Sequence, residues 1–305
     1  MNLFQNLIQI ITKILKIFID FIIIYKLMNL KFLDYIEIGT SDFDTEIEKD
    51  DSKVGYSIEP LKFYLDKLPE KKDCKKINCA ISDFDGVISI HYIDEEDIKK
   101  YNLPHWTRGC NSVLKNHPTI TSLLNNNHPE IFKNRTIPCF SLLSILNTYN
   151  VFFYYLKIDT EGHDTTILKH LFNNFENNTS LPHKILFESN ILSDKNEVDN
   201  IIKLAESIGY ELIVRKHDTL LELNINKVSN RFDFSPQIKN YYIPNYPFNY
   251  DPKNLPHENS LLGAQKYCIK NKCTGVTLQD GVYEVRSGGK ILYTDIPNVI
   301  SWIFI

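Results

Sequence analysis

From Leu33 onward, short apolar runs alternate with segments in which apolar residues recur every three or four positions, the rhythm of a doubly wound α/β sheet. The runs at 34–39, 54–59 and 76–82 read as buried parallel strands, with a helix at 61–68 whose first turn follows Pro60. Asp83-Phe84-Asp85-Gly86 then turns into an alternating run at 87–92, which predicts a hairpin added to the sheet. Residues 93–135 lose periodicity and read as an insertion, of the kind that forms a lid or substrate wall. Beyond it the pattern predicts a helix at 140–148, a strand at 152–158, a helix at 164–175, a strand at 183–188 and a helix at 195–208. Runs at 210–214 and 219–223 predict an antiparallel pair closing the sheet.

The ends have a different character. In residues 1–32 polar positions such as Gln5, Gln9, Lys13, Lys16 and Asp20 recur at helical spacing, which predicts an amphipathic helix. Its longest uninterrupted apolar stretch, 21–25, is far below the roughly 20 residues a bilayer span needs. Packing on the domain is the preferred reading; a membrane-surface anchor through residues 1–27 and an upstream extension ahead of Met28 are the alternatives. Residues 225–257, rich in Asn, Tyr and Pro, read as a linker, and 258–305 as a small α+β or β-rich module. With fewer than 50 residues, that module needs docking or a Cys268–Cys273 link to hold it.

Four strand ends carry the chemistry: Glu37-Ile38-Gly39-Thr40-Ser41, Ser57-Ile58-Glu59-Pro60, Ala80-Ile81-Ser82-Asp83 and Lys157-Ile158-Asp159-Thr160-Glu161-Gly162. In an open α/β sheet ligands collect at such ends, so the four predict one crevice. Glu59 lies 20 residues beyond Gly39, where a nucleotide-binding fold places the acid that accepts ribose hydroxyls. The first loop has one glycine and then Thr40-Ser41-Asp42-Phe43-Asp44, without the repeated glycines that admit a pyrophosphate. Asp42 and Asp44 would repel phosphate. An adenosine-bearing, positively charged ligand without phosphate fits better, and S-adenosylmethionine is the common one.

This order of motifs resembles the FkbM-like branch of the S-adenosylmethionine-dependent methyltransferases over roughly 33–224, most specifically in the run from Lys157 to Gly162 followed by His163-Asp164. The resemblance implies a Rossmann-like class I methyltransferase sheet. It implies a cofactor site from Glu37, Gly39, Thr40, Ser41, Glu59, Ser82 and Asp83, with a general base at Asp159 or His163. Trp106 and Arg108 are candidate substrate-wall residues, and Glu161 and Glu188 candidates for acceptor contact. A divalent metal on Asp159 and Glu161 is a further reading that two oxygen ligands do not establish. Thr40-Ser41-Asp42 departs from the commoner glycine-containing family loop.

Composition narrows the partners. A net charge of -4 with no basic stripe argues against nucleic acid. Six cysteines without a Cys-x-x-Cys pair argue against a zinc site and for a reducing, cytoplasmic setting. The expected activity is O-methylation of a hydroxyl on a sugar or other small molecule. A catalytically silent domain presenting the C-terminal module is the runner-up, and a dinucleotide-dependent oxidoreductase is disfavoured by the glycine-poor loop.

Overall fold

Strand β1 (Lys31–Ile38) lies third in a seven-stranded sheet of order β3-β2-β1-β7-β8-β10-β9. The other members are β2 (Gly55–Ile58), β3 (Lys75–Ile77), β7 (Val151–Ile158), β8 (Lys184–Glu188), β9 (Tyr210–Arg215) and β10 (Asp218–Leu223). In the computed structural model, residues 31–51, 53–125, 127–174, 181–182, 184–223, 238–239, 241–243, 260–271, 273–287 and 292–303 are described. The helix expected at 1–32 and most of the linker expected at 225–257 lie outside them. Among the described residues no helix is long and apolar enough to cross a membrane.

The β1–β2, β2–β3 and β7–β8 pairs are parallel, and β10 runs antiparallel to both β8 and β9. Ile36, Ile58, Leu156, Ile185 and Phe187 are fully buried along the strands, which is why these segments read as continuous apolar runs. Short helices α1 (Glu46–Lys49) and α2 (Lys62–Leu65) follow β1 and β2. Leu61 is the N-cap of α2, so Pro60 stands ahead of the cap instead of in the first turn, and the helix is shorter than its sequence suggests.

The expected third strand breaks in two. After β3 the chain turns at Asn78, whose side-chain amide donates to the carbonyls of Glu59 (2.9 Å) and Pro60 (2.8 Å). It then enters β4 (Ala80–Ser82), which leaves the main sheet. Strand β5 (Gly86–Ile93) is no tight hairpin with β4. Both flank β6 (Phe132–Ser141), β4 in parallel and β5 antiparallel from Gly86↔Cys139 to Ile93↔Phe132. Only Ile137, Cys139 and Ser141 of β6 are buried, so its sequence lacks a strand-like apolar run. The connection between β5 and β6 holds α3 (Glu95–Lys100), a 3-10 turn at His105–Gly109, α4 (Pro118–Leu123) and a second 3-10 turn at Pro129–Ile131. These pack on their own apolar cluster of Ile93, Ile98, Cys110, Ile120, Leu124 and Ile131.

Helices α5 (Leu142–Tyr149), α6 (Asp164–Asn173) and α7 (Lys195–Ser207) complete the α/β layering. Ser141 caps α5 through Ser144 N–H, and Asp194 caps α7 through the N–H groups of Asn196 and Glu197. Ile167, Leu168 and Leu171 of α6 and Val198, Ile201 and Ala205 of α7 are buried. Residues 33–231 form one compact unit.

The described residues beyond 232 belong to a second unit. Its sheet has the order β11-β16-β13-β14, from β11 (Ile238–Lys239), β13 (Gly275–Gln279), β14 (Val282–Arg286) and β16 (Ile300–Ile303); β12 (Tyr241–Tyr242) pairs with β15 (Leu292–Tyr293). Helix α8 (Leu261–Lys270) lends Ala264 and Cys268 to a core with Cys273, Val276 and Val285. Cys268 and Cys273 are buried free thiols, not a disulfide.

Candidate active site

The tips of β1, β2 and β7 are stapled side by side. Asp159 N–H donates to Ile38 O (2.9 Å), Gly39 N–H to Ile58 O (2.9 Å) and Glu59 N–H to Ile77 O (3.1 Å). Gly39 turns the chain at φ +77°, and a Cβ there would fall 1.9 Å from the backbone oxygen of Asp159. Only glycine allows both the left-handed turn and that approach. The resulting narrow crevice is lined by Gly39, Ser41, Glu59, Asp159 and His163. Asn111, Ser112 and Val113, which no sequence pattern singled out, form part of its wall.

Glu59 is buried, with Oε2 accepting from Ser41 N–H and Oε1 from Leu61 N–H, both at 2.8 Å. Burial pushes its pKa up to about 7, although both hydrogen bonds pull the other way. Each oxygen keeps lone-pair capacity for one more donor. Glu37 is placed differently. Its Oε2 accepts from Glu46 N–H (2.5 Å), and its Oε1 accepts from Ile47 N–H (3.2 Å) and Ser57 Oγ (2.6 Å). It caps α1 and ties β1 to β2, away from the crevice lining. Thr40 is buried too, its hydroxyl donating to Ser41 O at 3.2 Å.

The acidic loop is neutralised, which corrects the expectation that it repels phosphate. Asp42 accepts from Arg108 Nε (2.6 Å) and Lys67 Nζ (3.0 Å), and Asp44 pairs with Lys49 (3.0 Å) and Lys157 (3.2 Å). Burial raises the Asp42 carboxyl, but Arg108 and Lys67 outweigh it and hold the pKa below the usual range. Arg108 also lies over the Phe43 ring at 4.4 Å. It is therefore a latch between the first loop and the 3-10 turn, not a free substrate-wall residue. Trp106 is 46% exposed and lines no part of the crevice.

Asp159 reaches solvent at the crevice mouth, yet protein surrounds it closely. Burial first, then the charges of Asp164 and Glu161, raise its pKa to about 8. Its carboxylate accepts no hydrogen bond from the described residues. His163 Nε2 lies 2.8 Å from Ser82 Oγ, which also donates to Asp83 Oδ1 (3.0 Å). Burial lowers the imidazole pKa against the pull of Asp83, keeping the ring neutral. Ser82 and Asp83 thus orient His163 and do not line the crevice.

The rest of the signature splits into support and cluster. Asp164, fully buried, accepts from Thr160 N–H (2.9 Å) and Glu188 N–H (2.8 Å), pinning the β7 loop to β8. Glu161, at φ +52°, meets His117 Nε2 at 3.1 Å, and its backbone oxygen accepts from Ser112 Oγ (2.7 Å). Carboxylate oxygens of Asp159, Glu161 and Glu188 lie within 4.8 Å of one another. Burial and those neighbouring charges push Glu188 up to about 10. No sequence pattern marks His117, which sits 44 residues before Glu161 in a segment without periodicity.

A mostly parallel sheet with a crevice at its strand ends defines an α/β protein of the Rossmann-like methyltransferase class. The model of the methyltransferase FkbM domain matches residues 37–212, more than half of the chain, and the chain belongs to that family. No curated protein matches it significantly.

Proposed function

We propose that the domain is an S-adenosylmethionine-dependent methyltransferase acting on a hydroxyl of a sugar or another small molecule. The observation that carries this reading is Glu59, a buried carboxylate held at the tip of β2 by two backbone N–H groups and lining the crevice beside Gly39. Two acceptor oxygens suit the vicinal diol of a ribose. The missing Cβ at Gly39 lets the tip of β1 pack directly on the Asp159 backbone, which sets the two loops side by side along the crevice. Bound there, the sulfonium supplies an electrophilic methyl carbon.

Methyl transfer makes two demands on the protein. It must hold the acceptor oxygen in line with that carbon and take its proton. Asp159 meets the second demand, because its carboxylate accepts no hydrogen bond from the described residues, reaches the crevice, and has a pKa near the operating range. His163, with Nε2 engaged by Ser82, is the neighbouring neutral base. With the donor bound, Asp159 would take the proton of the acceptor hydroxyl during the transfer. Calorimetry of the full chain with S-adenosylmethionine, S-adenosylhomocysteine and NAD tests the reading. Binding of the first two with micromolar affinity and none of NAD is expected; NAD binding alone would overturn it.

A further inference from the structure

We propose that Cys110, His117 and Glu161 form a site for one divalent transition-metal ion of zinc's class, with three protein ligands and an open fourth position. One ligand atom from each lies within 4.8 Å of the other two. Around a tetrahedral zinc, ligand atoms stand at most about 4 Å apart, so adjustments of under about an ångström would close the set. His117 is 3% exposed, its Nε2 faces Glu161, and its Nδ1 is buried with no hydrogen-bond partner among the described residues. A buried imidazole with an unsatisfied nitrogen is costly unless something completes it. Cys110 is a buried free thiol.

Charge points the same way. Glu161 also belongs to the triad with Asp159 and Glu188. Among the described residues no lysine or arginine ion-pairs with any of the three, and Glu188 Oε2 is buried without a donor. Three converging carboxylates without a cationic partner favour a cation among them. The sulfur ligand selects zinc-like ions over magnesium, whose preferred ligands are oxygens. The three ligands come from different elements: the end of a 3-10 turn, the N-cap of α4 and the loop after β7. Spacings of 7 and 44 residues explain why cysteine and histidine spacing did not disclose them. An ion here would stand beside Asp159 and offer its open position to an acceptor oxygen. That role rests on the methyltransferase reading; the binding of the ion does not.

The test uses the full chain without any methyl donor. Chelator-treated protein is titrated with Zn2+, and then with Co2+, whose sulfur-to-metal absorption reports a thiolate ligand. One zinc per chain is expected, with a cobalt–thiolate band that disappears in Cys110→Ser and zinc affinity at least about tenfold weaker in His117→Gln. Circular dichroism establishes that each variant is folded, and the wild-type cobalt spectrum stands even where a variant is not. No cobalt–thiolate band in the wild type, or a band unchanged in folded Cys110→Ser, overturns the proposal. So does divalent-ion binding lost in Glu188→Gln but unaffected in Cys110→Ser and His117→Gln, which would assign the ion to the carboxylates alone. S-adenosylhomocysteine affinity, measured separately, distinguishes failure of the metal site from failure of the donor site.

Discussion

The affinity of the crevice for adenosine should rise about tenfold between pH 6 and pH 8. Adenosine carries the diol and no group that titrates in this range. If Glu59 must be ionised to accept both hydroxyls, apparent affinity follows its ionised fraction. With a pKa of about 7, that fraction climbs from about one in eleven at pH 6 to about ten in eleven at pH 8, worth about 1.4 kcal/mol. Calorimetry across this range, repeated on Glu59→Gln, measures it. The variant should bind more weakly and lose the slope. A flat wild-type profile, or an equal slope in Glu59→Gln, would refute the reasoning and transfer any pH dependence to Asp159 or His163. The same group acts oppositely on stability. Its folded pKa is raised, so its contribution is fully present below the unfolded value of 4.5 and is lost as pH rises through about 7. The loss amounts to about 3 kcal/mol. Asp164, raised by burial to about 6, adds a loss of the same sign over a lower window. Urea denaturation of the free protein should therefore show declining stability between pH 5 and 8, recovered in part by S-adenosylhomocysteine at the alkaline end.

Three further outcomes are expected. Gly39→Ala should cost more than about 3 kcal/mol in urea unfolding, since strain of about 1–2 kcal/mol is joined by the overlap with Asp159 O; Gly281→Ala, at φ +78° with nothing within 4 Å, should cost the strain alone. Arg108→Ala should speed proteolysis within 94–131 and weaken S-adenosylhomocysteine binding, and Arg108→Lys should not restore it, because the contacts to Asp42 and the Phe43 ring need a planar guanidinium. Asp159→Asn should keep S-adenosylhomocysteine affinity within about threefold while turnover falls about 10²–10⁴-fold in methyl-transfer assays; equal losses in both would move Asp159 to the donor site.

What could be read in the sequence followed from how completely each element is buried. Strands β1 and β2 are buried along most of their length, and β7 and β8 carry fully buried Leu156, Ile185 and Phe187, so all four appear as apolar-rich runs ending in Gly39, Glu59, Asp159 and Glu188. Strand β6 buries alternate residues only near its end and carries Lys133, Asn134, Arg135 and Thr136, so nothing marked it as a strand or as the partner of β5. Roles were harder to read than positions. Glu37 and Glu59 both end apolar strands, but the short helix after β1 claims the carboxylate of Glu37, whereas Glu59 is held facing the crevice. Arg108 looked available because its partner, Asp42, lies 66 residues away. His117 and Cys110 carry no local signature because the fold alone brings them to Glu161.

The interior place of β1 bears on how the chain is made. It leaves the ribosome first among the strands of its sheet, and β2 and β3 can join one side of it within a few dozen residues. Its other edge must wait for β7, whose end meets Ile38 through Asp159. At 5–20 residues per second, the roughly 120 intervening residues hold that apolar edge open for about 6–24 s. During that interval the half-sheet presents unpaired N–H and C=O groups beside Ile36 and Ile38, a template for pairing with other nascent chains. Translation speed and chaperone supply should therefore govern the yield of folded protein more strongly than the stability of the finished domain does.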